Sequence, residues 1–317
     1  MNSKLKANPL IILFNRLRVL NPFSTSIPVY TKNDKVNPFL IIGSGRSGTT
    51  LLRSMLNQHH GIEIPPESYV LPIIYKRYKT YKKLPWPEFT KLILGEFVSH
   101  PHFHLWNLDI APLYQKLESL KNEEQSLFKI IDSIYKLYAS KNGKGNVIWG
   151  DKTPLNTFYI PEMNYMFKNP KYIHLKRDGR DVIASMLKYK LAENVKAASD
   201  RWLSAMKTAR EIEQKSPDRI LTVEYSELVQ NPGIELKKIC EFLSITFEPA
   251  MLDHTQNVDT LGDSVFNHHN NLKKPLSTDS IGNWQKSFEA TELEWIENYI
   301  GKELTSNGYK LSKEINN

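Results

Sequence analysis

The sequence predicts an α/β fold, a parallel sheet with helices on both faces, and three observations predict it. Strand-like runs rich in Ile, Val and Tyr alternate along the chain with segments of helical period, the order that builds βα units around a buried sheet. The first such run, "PFLII" (38–42), leads directly into "GSGRSGTT" (43–50), a glycine-spaced loop of the P-loop type, with a helical pattern following it. No internal repeat or low-complexity segment interrupts this order. With 317 residues, 40% of them hydrophobic and six tryptophans, the chain can build a sizeable core as a single unit.

Each element has its own warrant. "PFLII" is short and wholly apolar, as a strand buried on both faces should be. "TTLLRSMLNQ" puts Leu51, Leu52, Met55 and Leu56 on one face of a helix starting at Gly48. Residues 87–140 are mostly helical in pattern. "NVIWGDK" (146–152) and "KYIHLKR" (171–177) read as the second and third strands. "DGRDVIASMLKYK" then opens a helix with Asp178 as its cap, and a long helical run covers about 195–215. "RILTVEY" (219–225) is a fourth strand, and Pro232 starts the helix of "NPGIELKKICEFLSI". The stretch 253–280, with paired His268-His269 and Lys273-Lys274, lacks periodicity and reads as a lid or binding loop because a helical segment follows it.

The loop holds the first chemistry. Gly43, Gly45 and Gly48 permit close approach of backbone N–H groups to an anion at a helix N-terminus. A nucleoside triphosphate enzyme would carry GxxxxGK[ST], its lysine reaching the outer phosphates and its hydroxyl holding magnesium. Here Thr49 stands in the lysine position and the one cation, Arg46, precedes the last glycine. A second strand-to-helix junction, "HLKRDGRDVIASML", places Arg177 at a strand end with Ser185 about two turns into the helix. An arginine fork and a serine hydroxyl suit a phosphate. Two separated phosphate sites imply a ligand with phosphates at both ends, and ATP has only one such end.

Together, "GSGRSGTTLLRSML" and "RDGRDVIASML" resemble the 5′-phosphosulfate loop and the 3′-phosphate motif of sulfotransferases that use 3′-phosphoadenosine 5′-phosphosulfate (PAPS). The resemblance runs from about residue 38 to 290 and is nearest to the bacterial and tyrosylprotein branch. It implies a P-loop α/β core, PAPS as co-substrate, and no required metal, since sulfuryl transfer has no γ-phosphate to reach. It places Arg46, Ser47, Gly48, Thr49 and Thr50 at the 5′ end, and Arg177 with Ser185 at the 3′-phosphate. "PPESYVLP" resembles the segment with the catalytic glutamate, which makes Glu67 the expected base. "WGDKTP" resembles the segment with a lysine near the transferred group, Lys152 here. By the same likeness Tyr225 of "VEYSEL" borders the adenine, and Ser280 and Trp284 of "STDSIGNWQKSF" belong to the motif that closes over the nucleotide.

Plainer readings stand beside these. Glu67 follows Pro65-Pro66 and suits the start of a helix as an N-terminal charge. Asp151 has the look of a magnesium-binding aspartate, but orienting Lys152 or its loop is the preferred reading. His59 and His60, at the end of the loop helix, read as surface residues, and so do the histidines of "HPHFH" (100–104), which lack a second cluster at metal-binding spacing. "YKRYKTYKK" (75–83) reads as an amphipathic helix with half-buried tyrosines, or as a wall of the acceptor site.

The formal charge is +8, of which +5 lies in residues 1–37 (Lys4, Lys6, Arg16, Arg18, Lys32 and Lys35 against Asp34). That basic extension is either a solvated tail or, through "NPLIILFNRLRVL", an arm for peripheral contact with an anionic membrane. A single domain is expected over 38–317. No basic stripe points to nucleic acid, and no apolar run approaches the roughly 18 residues of a membrane span. The lone Cys240 excludes an intrachain disulfide and suits a reducing, cytoplasmic setting. The expected activity is therefore sulfuryl transfer to an acceptor hydroxyl on a carbohydrate, lipid, phenolic metabolite or tyrosyl group. The rivals are a P-loop nucleotide kinase and a nucleotide-binding module without turnover.

Overall fold

The computed structural model of the chain describes residues 25–34, 37–255, 262 and 272–315. The run "NPLIILFNRLRVL" and His268-His269 lie outside the described residues. Residues 27–29, which the sequence groups with the basic extension, are tied to the body. Ile27 N–H donates to Lys82 O at 2.7 Å, and Pro28 O accepts from Leu127 N–H at 3.0 Å.

Five parallel strands form the sheet: β1 (Phe39–Ile42), β2 (Ile62–Glu63), β3 (Ile148–Asp151), β4 (Lys171–Lys176) and β5 (Ile220–Glu224), in the order β2-β3-β1-β4-β5. Four of them stand where the apolar runs predict. The fifth, β2, has only two residues and no alternation to read, and its pairing of Ile62 with Ile148 places it at the sheet edge. Register is set in the middle, with Leu40 beside Asp151 and Ile42 beside His174.

Strand periodicity divides the core. Leu40 and Ile42 face one layer, built on helices Leu71–Tyr81, Trp86–Ser99, Leu127–Lys141 and Val195–Lys215. Phe39 and Ile41 face the other, built on helices Thr49–Leu56 and Pro232–Leu243. Leu52, Met55 and Leu56 are fully buried there, each worth about 1.5–3 kcal/mol relative to exposure, while Leu51 is only half-buried. A third cluster joins helices Gly179–Lys188, Val195–Lys215 and Ala290–Ser306 around Trp202. Asp178 caps the first of these by accepting from Arg180 N–H, and Pro232 opens its helix, both as the sequence predicts. Tyr78 is buried, its hydroxyl donating to Ile27 O at 2.9 Å, and Tyr75 and Tyr81 are half-buried, so "YKRYKTYKK" forms an amphipathic helix ending at Tyr81. Among the described residues no helix is long and apolar enough to cross a membrane.

With all strands parallel, their C-terminal ends share one edge. The glycine loop leaves β1 there, Lys152 follows β3, Arg177 follows β4, Tyr225 follows β5, and Glu67 comes four residues after β2. In open α/β sheets this edge is where ligands bind.

Candidate active site

The loop itself is held by its surroundings. Gly43 N–H donates to Thr157 Oγ1 at 3.0 Å, and the same hydroxyl donates to Gly43 O at 3.1 Å. Gly48 has φ of 95°, and a Cβ on it would meet the ring of Tyr225 at 2.5 Å, so only glycine fits both the turn and the ring. No side chain caps the helix that begins at Thr49, and Ser47, Thr49 and Thr50 are buried around its start. Those are the conditions for an anion to satisfy the helix's first N–H groups.

Arg46, at φ of 73°, joins the two phosphate motifs. Its Nε donates to Ser185 Oγ at 3.0 Å, and its guanidinium lies 5.0 Å from the ring of Tyr189. Burial lowers its pKa, opposed by Tyr189 and reinforced by Arg177. Arg177 donates from Nη1 to Arg46 O at 3.0 Å and from Nη2 to Ser280 O at 2.5 Å, with its guanidinium 4.5 Å from the Tyr225 ring. Ser280 and Tyr225 share a hydroxyl hydrogen bond of 2.6 Å. The sequence-predicted Arg46, Arg177, Ser185, Tyr225 and Ser280 are thus one connected group. Trp284 stands slightly apart, 3.8 Å from the guanidinium of Arg180, and with Arg177 and Tyr225 it lines a cavity of about 270 Å³.

Glu67 and Lys152 form the second group. Lys152 is fully buried; its Nζ lies 2.5 Å from Glu67 Oε1 and 3.2 Å from Thr50 Oγ1. A base and a cation therefore sit against the phosphate loop. Glu67 is no helix-start charge, because the next helix begins at Leu71 with Val70 at its cap position. Asp151, also buried, accepts from Ser68 Oγ at 2.9 Å, Tyr135 hydroxyl at 2.6 Å and Asn156 Nδ2 at 2.8 Å. Burial raises its pKa, with hydrogen bonds from Tyr135, Thr153 and Ser68 pulling the other way. Its bond to Ser68 ties the segment beside Lys152 to the residue after Glu67.

Two histidine expectations change. His59 is buried, not superficial: Nε2 lies 2.8 Å from Thr246 O, and Nδ1 accepts from Gly61 N–H at 2.9 Å. With exposed His60 and half-buried Glu248 it makes a group compact enough for a metal, but both of its ring nitrogens are engaged by backbone. The group also lies beyond the far end of the eight-residue loop helix, about 12 Å long. His100 and His102 are half-buried; His100 stacks on Tyr69 and His102 packs tilted against it, and the Tyr69 hydroxyl donates to Glu67 Oε2.

Sequence reasoning missed several members. Asp181 accepts from the backbone N–H of Gly282 at 2.9 Å and of Trp284 at 3.0 Å, anchoring the late segment. Its place four residues after Arg177, one turn along the helix, was a usable signal, as was the spacing of Tyr189 four after Ser185. Nothing in sequence marks Thr157 or Tyr69. Among the described residues, Ser44 Oγ and Arg177 Nε are buried without a hydrogen-bond partner, a condition that ligand oxygens would relieve.

Fold and site are those of an α/β protein of the phosphate-loop class, with a buried cation and a partly exposed carboxylate at its loop. Residues 38–249 match the model of the sulfotransferase family, and the chain belongs to that family. It is 24% identical over 261 residues to protein-tyrosine sulfotransferase A of Caenorhabditis elegans, covering 79% of this chain and 62% of that one. It is 25% identical over 263 residues to protein-tyrosine sulfotransferase 1 of Danio rerio, covering 79% of this chain and 66% of that one. The chain thus spans slightly less than two thirds of either relative. The solved sulfotransferase domain from the curacin biosynthetic pathway superposes with a TM-score of 0.60 at 22% identity, over 88% of this chain and 100% of that domain, a likeness of fold. The family match gives no support to the nucleotide-kinase alternative.

Proposed function

We propose that this sulfotransferase takes its sulfuryl group from PAPS and delivers it to an acceptor hydroxyl by in-line displacement, within one unit spanning residues 38–317. The observation that carries the reading is Lys152, whose ammonium touches both Glu67 and the phosphate-loop hydroxyl of Thr50. PAPS supplies an activated sulfuryl group and a phosphate leaving group. The loop from Arg46 to Thr50 would hold its 5′ end, and Arg177 with Ser185 its 3′-phosphate. Tyr225, Ser280 and Trp284 would enclose the nucleoside; the orphaned Ser44 Oγ and Arg177 Nε support a polyanion here.

Glu67 accepts the proton of the acceptor hydroxyl as that oxygen bonds to sulfur and the sulfur–phosphate oxygen bond breaks. Each carboxylate oxygen has two lone pairs, so Glu67 can take this proton while bonded to its neighbours. Lys152 offsets negative charge growing on the sulfuryl and bridging oxygens, and burial makes its charge more effective than it would be in water. Tyrosyl groups are the first acceptors to try, given the names of the relatives, followed by other phenols, sugars and lipid head groups. A cytoplasmic setting agrees with the single, buried cysteine.

The test is nucleotide choice. 3′-Phosphoadenosine 5′-phosphate (PAP) at 100 times its dissociation constant should stabilise the chain by roughly 2.7 kcal/mol without magnesium, on the order of 5 °C in melting temperature. Equal shifts from ATP with magnesium would overturn the choice of PAPS.

A further inference from the structure

The histidine-rich run "HPHFH" has no part in the chemistry just described, yet the structure brings it to the carboxylate. The Tyr69 hydroxyl donates to Glu67 Oε2, while Lys152 holds Oε1. The Tyr69 ring lies parallel to His100, at 5.5 Å and 13°, and against His102 at 5.2 Å and 35°. The two imidazoles are themselves stacked at 5.5 Å. His102 N–H donates to His100 Nδ1 at 3.3 Å, which needs an unprotonated nitrogen there. Burial, and then the neighbouring His102, lowers the His100 pKa, in keeping with a neutral ring. Neutral rings can stack at this spacing without a desolvated charge between them.

Tyr69 is also in an unusual backbone state. Its φ is 54°, the left-handed region that a bulky residue rarely enters, and such outliers cost on the order of 1–3 kcal/mol. The neighbouring residue shows what holds it there: Ser68 N–H donates to Thr153 Oγ1 at 3.0 Å and Ser68 Oγ to Asp151 Oδ2 at 2.9 Å. Pinned at Ser68, the chain turns so that Tyr69 points back along itself to Glu67.

We propose that Tyr69 is a positioning residue for Glu67, with His100 and His102 bracing its ring, so that the carboxylate is gripped at one oxygen by Lys152 and at the other by Tyr69. This rests on the reading of Glu67 as base. A group that takes a proton in the transition state must be aimed, and a misplacement of about 1 Å can cost on the order of a hundredfold in rate. The grip removes the freedom of a glutamate side chain to swing toward solvent or to swap its oxygens.

The test is a double-mutant cycle on Glu67→Gln and Tyr69→Phe, read as PAP release from PAPS with p-nitrophenol as acceptor probe, alongside PAP affinity by calorimetry. Tyr69→Phe keeps the ring stack and removes only the hydroxyl. It should lower kcat about tenfold to a hundredfold, the usual worth of a hydrogen bond to a charged group, and leave PAP affinity unchanged. Because Tyr69 acts through Glu67, the double variant should be no slower than Glu67→Gln alone. His100→Leu, which removes the stacked ring, should lower kcat, and His100→Phe, which keeps a ring but not the bond from His102 N–H, should lower it less. A slow Glu67→Gln beside a Tyr69→Phe of native speed overturns the positioning role alone. So does a double variant slower by the product of the two effects, or a Tyr69→Phe that loses PAP affinity. A Glu67→Gln as fast as the native chain overturns the base reading beneath it.

Discussion

The guanidinium of Arg177 donates from Nη1 to the backbone carbonyl of Arg46 at 3.0 Å, so the second phosphate motif grips the main chain of the first. Arg46 returns the contact through Nε to Ser185, on the helix that Arg177 introduces. The two ends of a double-phosphate ligand would thus be read by residues that also set one another's position.

This interlock shapes the outcome of Arg177→Ala. Affinity for PAPS should fall about tenfold to a hundredfold, from loss of charged hydrogen bonds to the 3′-phosphate. Adenosine 5′-phosphosulfate, which lacks that phosphate, should lose only severalfold, through the loosened carbonyl of Arg46. Competition calorimetry with both nucleotides checks this, and equal losses would reduce Arg177 to a support of the loop.

Glu67→Gln should lower turnover by roughly 10²–10⁴, the usual contribution of a general base, while PAP still binds. It also leaves the buried Lys152 ammonium without its carboxylate, and breaking such a pair typically costs about 3–5 kcal/mol. The partial exposure of Glu67 puts the expected loss at the lower end of that range. Melting with and without PAP measures it: the variant should melt below the native chain when free and recover part of the difference when the anion is bound.

Asp181→Ala removes the acceptor that holds two backbone N–H groups of the late segment, at Gly282 and Trp284. Limited proteolysis should then cut near 277–288 faster than in the native chain, and PAP should protect. Unchanged cleavage would show that Arg177, bonded to Ser280 O, anchors this segment on its own.

Gly48→Ala should destabilise by about 1–3 kcal/mol, since the added methyl meets the Tyr225 ring at 2.5 Å and φ is 95°. Pairing it with Tyr225→Ala separates the causes in thermal unfolding. If the steric part dominates, the double variant is destabilised by less than the sum of the singles; if the backbone part dominates, the effects add.

Most of the sheet was legible because buried parallel strands are rich in apolar residues, wholly so in "PFLII" and through the middle of "KYIHLKR" and "RILTVEY". β2 was not, since two residues carry no period and its existence depends on Ile148 across the sheet. The loop and the Arg177 motif were legible because backbone approach and anion binding restrict residue types at fixed spacing. The contact of Lys152 with Glu67 joins residues 85 apart in sequence, and only the resemblance linked them. Tyr69 and Thr157 escaped altogether: one depends on a left-handed backbone state and the other on a bond to Gly43, neither of which has a sequence pattern.

Placing each key residue on a different strand end has a consequence for biogenesis. Between Gly43 and Trp284 lies most of the chain, and the order β2-β3-β1-β4-β5 puts the first strand in the middle, where it cannot be flanked until β3 and β4 exist. At roughly 5–20 residues per second, a ribosome needs about 10–50 s to deliver that span. Until Lys152 and Arg177 follow, the glycine loop has been made but has neither lysine nor arginine fork around it. If nucleotide capture needs Lys152 and Arg177 as well as the loop, a product truncated before Arg177 should remain blind to PAP however well its first strand and helix have formed.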